Sequence, residues 1–287
     1  GPVANRLLRN LGDGRFERVS QSAVELHGRT SGAVFADLDN DGDVDLYVAN
    51  NAKARDPNTA AKSESTIQAA AKHLPNRLFR NDRTADGRNT FVDISAASGA
   101  CPESLHTARN VGVLDYNGDG LLDLYVVEDR FTNRPRSTLF KNLGGLRFKD
   151  VTSEAGLPED VFGLGLAIAD VNDDGRPDIF VGHSNRFFLS AAANKYVESQ
   201  ELAKTFAWQP LDAEDWPCGA AFGDLNRDGR LDLVLAIHGI RARNKVYLND
   251  GLKGGVPQFR DITAAAGLPD EVPTRCPHVE VQDFDND

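Results

Sequence analysis

Asp37-Leu-Asp-Asn-Asp-Gly-Asp-Val-Asp45 decides the reading of this chain, because the same nine-residue pattern returns three more times. The copies are Asp115-Tyr-Asn-Gly-Asp-Gly-Leu-Leu-Asp123, Asp170-Val-Asn-Asp-Asp-Gly-Arg-Pro-Asp178 and Asp224-Leu-Asn-Arg-Asp-Gly-Arg-Leu-Asp232. A fifth begins at Asp283 and runs through Asp285 to Asp287, where the chain stops. Oxygen-bearing side chains at positions one, three, five and nine, with glycine at six for a sharp turn, match what a hard cation such as Ca2+ requires. The copies start about 55 to 80 residues apart, which identifies a repeat protein with one cation loop in each repeat.

Ligand roles follow from the spacing. The first loop offers Asp37, Asp39, Asp41 and Asp45, with Asp43 beside them, and is expected to bind most tightly. In the second, Asp115, Asn117 and Asp119 would give side-chain oxygens, Leu121 its backbone carbonyl, and Asp123 would close the site. The third uses Asp170, Asn172, Asp174 and Asp178, with Arg176 at the carbonyl position; the fourth uses Asp224, Asn226, Asp228 and Asp232, with Arg230 there. Asn172 and Asn226 lower the ligand charge and are expected to weaken those sites. Asp43 and Asp173 are expected to face solvent. An EF-hand is excluded, because its twelfth-position glutamate is replaced here by Val48, Val126, Val181 and Leu235.

The flanks have strand character. Gly32-Ala-Val-Phe-Ala precedes the first loop and Leu46-Tyr-Val-Ala follows it, and the other copies repeat this composition. The loop is therefore the turn of a hairpin. A second hairpin follows, with Asn76-Arg-Leu-Phe-Arg-Asn81 or Ser137-Thr-Leu-Phe-Lys-Asn142 as its first strand and Phe91-Val-Asp-Ile-Ser95 or Phe148-Lys-Asp-Val-Thr152 as its second. Four short antiparallel strands per repeat predict an all-β fold, a β-propeller built of four-stranded blades with Ca2+-binding hairpin loops. The expected blades are residues 31–96, 108–152, 163–200 and 218–264, with partial ones at 4–20 and 278–287. The whole chain, 1–287, forms one repeat region that reads as a fragment cut at its C-terminus.

These residues resemble FG-GAP/VCBS repeats, the calcium-bearing propeller repeats of integrin α-subunit heads and of the cartilage acidic protein (ASPIC/UnbV) family. Asn-x-Leu-Phe-x-Asn, then Phe-x-Asp-Val/Ile-Thr/Ser, then Ala-Gly-Leu at residues 155–157 and 266–268 is similar to the ASPIC/UnbV group. The resemblance implies structural Ca2+, about four ions, and an adhesion-type role. It places the chain outside the cell, at the cell surface or in the periplasm.

Composition agrees with a binding module. The formal charge of -11 comes largely from the aspartate loops, so acidity marks cation sites, and a nucleic-acid partner is excluded for want of a basic footprint. No apolar run is long enough to span a membrane. Cys101, Cys218 and Cys276 show no zinc spacing, and one disulfide among them stays open. The six histidines show no ligand pairing and read as loop residues.

A repeated site without a base or nucleophile nearby predicts scaffolding, and the chain reads as a non-enzyme that binds a protein or glycan ligand. The alternative is the propeller domain of a polysaccharide-active lyase or hydrolase. Strand alternation puts the variable connections at the end of each blade away from the loops. Arg130, Arg134, Arg136, Arg241 and Arg243 lie there and would suit an anionic ligand. Trp208 and Trp216 fall in a long link, either to stack on sugars or to fill gaps between blades, and residues 59–73 read as a surface helix.

Overall fold

The computed structural model describes residues 4–21, 23–26, 30–51, 75–84, 87–103, 107–129, 136–192, 194–211, 215–239, 242–268 and 278–282. A two-stranded sheet comes first, β1 (Leu7–Gly12) against β2 (Arg15–Val19). Four four-stranded antiparallel sheets follow, each in simple up-and-down order. The first holds β3 (Thr30–Ala36), β4 (Asp45–Asn50), β5 (Arg77–Arg83) and β6 (Asn89–Asp93). The second holds β7 (Ala108–Leu114), β8 (Asp123–Glu128), β9 (Thr138–Asn142) and β10 (Phe148–Asp150). The third runs through β11 (Gly163–Ala169), β12 (Asp178–His183), β13 (Arg186–Ala191) and β14 (Lys195–Glu198). The fourth comprises β15 (Trp216–Gly223), β16 (Asp232–His238), β17 (Lys245–Lys253) and β18 (Val256–Asp261). Among the described residues helix is confined to α1 (Ser95–Ser98) and α2 (Gln200–Thr205). These sheets are propeller-type blades.

The chain divides into two compact units. One holds Gly1–Val113, Leu121–Pro135 and Leu139–Asp150; the other holds Leu114–Gly120, Arg136–Thr138 and Val151–Asp287. In the first unit, the alternation of β4 feeds two cores. Tyr47 and Ala49 join Leu124, Val126 and Phe140 of the second blade, whereas Leu46 and Val48 pack with Val24, Phe79 and Phe91. A second strand covered on both faces must read as a continuous apolar run, and every residue of β4 and β8 is buried. The second unit repeats the arrangement, with Phe180 and Phe187 packed on Leu233, Leu235 and Ile237.

First strands are poor in large side chains because neighbouring backbones approach closely. A Cβ on Gly165 would lie 2.3 Å from the Cys218 carbonyl oxygen, so only glycine fits. Residues 278–282 run beside β15 without strand pairing, His278 Cα lying 2.9 Å from where a Gly219 Cβ would stand. In the Ala-Gly-Leu link Gly156 has φ 79° and would collide with the Tyr196 carbonyl at 2.9 Å if it carried a Cβ. That glycine sets both the turn and the approach.

Adjacent blades are also tied by a buried asparagine. Asn142 Nδ2 donates to the Leu122 carbonyl of its own loop at 3.0 Å and to the Leu38 carbonyl of the preceding blade at 2.7 Å. Asn249 does the same with Leu231 at 3.3 Å and Val171 at 3.2 Å. Truncating Asn142 to Ala leaves two carbonyls without their donor, at a cost of about 2–4 kcal/mol. Urea unfolding checks this against Asn10→Ala: Asn10 is exposed and accepts only from Gly12 N, so its loss should change stability by less than about 0.5 kcal/mol.

Candidate functional site

Each loop is organised by its first aspartate. Asp37 accepts the Asp41 amide at 3.1 Å and the Gly42 amide at 3.0 Å. Asp115, Asp170 and Asp224 accept the equivalent glycine amides, from Gly120, Gly175 and Gly229, at 2.8, 2.7 and 2.8 Å. A short chain folded around one carboxylate presents its remaining oxygens inward, and the left-handed glycine at position six makes the turn possible.

The ninth aspartate is fully enclosed, at most 1 % exposed in all four loops. Asp45 accepts from the Leu38 amide at 3.1 Å and from the Asn81 amide at 2.9 Å. Asp178 accepts from Val171 and Ser190, Asp232 from Leu225 and Asn249, and Asp123 from Asn142. These carboxylates thus join the loop to the third strand. Burial pushes the pKa of Asp45 and of Asp178 up to about 6, against the lowering effect of the amide hydrogen bonds; Asp232 is raised by the same cause.

Position five separates the first loop from the others. Asn117 Nδ2 donates to Asp119 at 2.9 Å, Asn172 Nδ2 to Asp174 at 3.1 Å and Asn226 Nδ2 to Asp228 at 2.9 Å. Arg176 folds back on Asp174 at 2.9 Å, and Arg230 pairs with Asp228 while donating to the Asn249 carbonyl at 2.7 Å. Both arginines stand at the position expected to offer a backbone carbonyl, and their side chains reach the fifth-position carboxylates.

The first loop has no such donor. Carboxylate oxygens of Asp37, Asp39 and Asp41 lie within 4.8 Å of one another, and no lysine or arginine among the described residues ion-pairs with them. Asp39 Oδ1 is buried without a hydrogen-bond partner among the described residues. Burial, then Asp41 and Asp37, raises the Asp39 pKa. At an effective dielectric constant between water and about 20, two charges this close repel by about 1–4 kcal/mol. A cluster of hard oxygens with a buried orphan acceptor fits a divalent cation of the Ca2+ type. Asp43, expected to face solvent, is half-buried and lies 3.7 Å from Arg83.

The remaining expectations divide. Arg136 lies 3.4 Å from Glu159, and Arg243 is half-buried beside a cavity on the fourth blade. Arg130, Arg134, Arg241, Asp283, Asp285, Asp287, Cys276 and residues 59–73 lie outside the described residues. Cys101 and Cys218 are not bridged to each other, and burial pushes the Cys101 thiol up to about 12. Two histidines, read as loop residues, end strands instead: His183 closes β12 and His238 closes β16, where Trp216 stacks on His238 at 5.3 Å. Trp216 opens β15 and is no link residue. Sequence reasoning missed the role of Asn142 and Asn249, although the last residue of Asn-x-Leu-Phe-x-Asn was the available signal.

Without a cation, the buried carboxylates make stability depend on pH. Asp45 and Asp178 bind a proton more readily folded than unfolded, so their desolvation cost stands in full above about pH 6 and is relieved as pH falls toward the unfolded value near 4. Asp82, Asp160 and Asp250, held low by Arg80, Arg186 and Arg260, work the other way, but only below that range. In chelator, Tm should be higher near pH 5 than near pH 7.5. Scanning calorimetry at the two pH values checks the sign.

The family and sequence comparisons agree with the repeat pattern. The FG-GAP-like repeat family matches residues 1–48, 115–181 and 224–287. Cartilage acidic protein 1 of Homo sapiens is 26 % identical over 273 residues, covering 91 % of this chain and 37 % of that protein. Its Mus musculus counterpart is equally similar, and that of Xenopus tropicalis is 30 % identical over 189 residues, covering 63 % of this chain and 27 % of that protein. The chain spans less than two fifths of the length of these relatives. Among solved structures, the V. cholerae biofilm matrix protein Bap1 aligns over 88 % of this chain and 42 % of its own, with TM-score 0.35 and 12 % identity. With most of the chain matched, and each matched region carrying a loop that turns on its first aspartate or the flanks of one, this protein belongs to the FG-GAP-like repeat family.

Proposed function

We propose that this chain is a calcium-stabilised, non-enzymatic binding module of an extracellular, cell-surface or periplasmic protein, whose partner is a protein or glycan. The observation that carries the reading is the first loop. Three carboxylates converge there, one oxygen is buried without a donor, and no lysine or arginine among the described residues ion-pairs with them, so a bound cation would supply the missing positive charge. Asp37, Asp39 and Asp41 would hold it, with the Asp43 backbone carbonyl and Asp45 completing the shell; Asp45 keeps second lone pairs on both oxygens while it accepts from the amides.

The fifth-position carboxylates of the other three loops are partly satisfied from within. Asn117 donates in the second, and an asparagine together with an arginine does so in the third and fourth. Calcium would have to displace these contacts and should bind there more weakly. Extracellular modules of this type hold Ca2+ at about 10⁻⁴ to 10⁻³ M, which supports a location where calcium is at that level. Scaffolding, not chemistry, is the role that repeated loops at blade hairpins support. No helix of the described residues is long and apolar enough to cross a membrane.

A calorimetric Ca2+ titration with parallel thermal unfolding tests the reading. The wild type should bind several ions, the tightest in the first loop, and gain Tm in about 1 mM Ca2+ but not in Mg2+. Asp39→Asn copies the asparagine of the other loops and should weaken the tightest site by about tenfold or more. Arg230→Ala should strengthen a weak site. No binding at millimolar Ca2+, with Tm indifferent to chelator, would leave the loops as turns alone.

A further inference from the structure

A cavity of about 990 Å³ lies on the fourth blade, at the end of its sheet away from the loop of residues 224–232. One wall is the chain that leaves α2, with Trp208, Gln209 and Leu211; the other is formed by Arg243, by Lys245 and Tyr247 of β17 and by the end of β18. The walls are rigid. Phe206 meets the Tyr247 ring edge-on at 5.0 Å and the Phe259 ring at 5.3 Å, and Trp208 Nε1 donates to the Asp215 carbonyl at 3.0 Å.

Its lining is of two kinds. Trp208, Tyr247 and Phe259 are aromatic; Arg243, Lys245 and Arg260 are cationic, Lys245 being held by Asp261 of the lining at 3.0 Å and Arg260 by Asp250 at 2.8 Å. In a chain of formal charge -11 the cavity lining holds three cationic side chains and one carboxylate. Aromatic faces bind the C–H surface of a sugar ring, and guanidinium and ammonium groups bind carboxylate or sulfate. The volume is at the upper end for small-ligand sites and exceeds what one sugar ring fills. The cations sit on two segments, Arg243 and Lys245 at the start of β17 and Arg260 on β18.

We propose that this cavity is the ligand site of the module and takes an acidic oligosaccharide, its rings against Trp208 and Tyr247 and its anionic groups toward Arg243 and Lys245. The site deepens the binding role proposed above and rests on it, but it needs no cation of its own. Carboxylated and sulfated glycans share the required chemistry, so both enter the test.

The chain has only two tryptophans, and only Trp208 lines the cavity. Fluorotryptophan-labelled protein in about 1 mM Ca2+ therefore gives two ¹⁹F resonances, assigned with Trp208→Phe. Hyaluronan and heparin oligosaccharides should shift the Trp208 resonance saturably and leave Trp216 unmoved, and the stronger of the two identifies the anionic group. Arg243→Glu should weaken binding at least about tenfold, whereas Arg15→Glu on the exposed β2 should not. If Arg243→Glu lowers Tm, Arg243→Gln supplies the comparison.

An unshifted Trp208 at millimolar glycan overturns the proposal, as does an equal shift with neutral chitin oligosaccharides. A tighter response to ATP assigns the cavity to nucleotides and overturns it too. Tm with and without Ca2+, measured on the same samples, reports separately on the cation reading.

Discussion

The ninth aspartate of each loop extends a β-ladder past the point where its backbone ends. In the first blade the ladder between β4 and β5 closes at Leu46 and Phe79, and the next outward-facing amide, that of Asn81, has no strand opposite it. Asp45 turns its carboxylate into that gap and accepts it. Ladders in the third and fourth blades close at Phe188 and Tyr247, and Ser190 and Asn249 are met by Asp178 and Asp232 at the same two-residue offset. The device fixes the register of the third strand against a loop that would otherwise be free to slide. It also explains why a carboxylate is buried there: two amide donors compensate much, though not all, of what desolvation costs.

Everything between blades builds on that fixed register. Once the third strand is held, its asparagine side chain can reach one carbonyl in its own loop and one in the loop of the blade before, as Asn142 and Asn249 do. The same registration sends alternate residues of the second strand into two different cores. Tyr47 faces one and Leu46 the other, so a one-residue slip would exchange them. Loop geometry and core packing are therefore one constraint seen from two ends of a strand.

Much of this was legible in the chain. Aspartate spacing located the hairpins, and β-branched and aromatic runs located the strands, because both signals are local. The clustering of Asp37, Asp39 and Asp41 was equally plain. Contacts that join distant residues were not legible. Nothing local marks Asn142 as a partner of Leu38, and nothing in the spacing shows the amides that the aspartate at position nine accepts. Arg176 and Arg230 show the same limit. Position seven suggests a carbonyl, whereas the side chain is long enough to return to position five, which only the folded loop reveals.

The four loops thus hold one backbone shape with different sources of positive character. Three draw on an asparagine amide at the fifth-position carboxylate, two of them with a guanidinium as well, and the first has neither. A repeat array tolerates such drift because each blade depends mainly on itself and its neighbours. Losing charge from one loop, or replacing an external cation by an internal one, leaves the ninth aspartate and its amides in place. The shape of a loop is then decoupled from its charge. The rim can diverge in the same way: in the link between the third and fourth blades, α2 carries Leu202, and Phe206 just beyond its end, into the core that Phe187 and Tyr247 already share. The packing that anchors this link also holds Trp208 beside Tyr247, so a cavity with rigid aromatic walls follows from a connection whose first requirement was to cover the core.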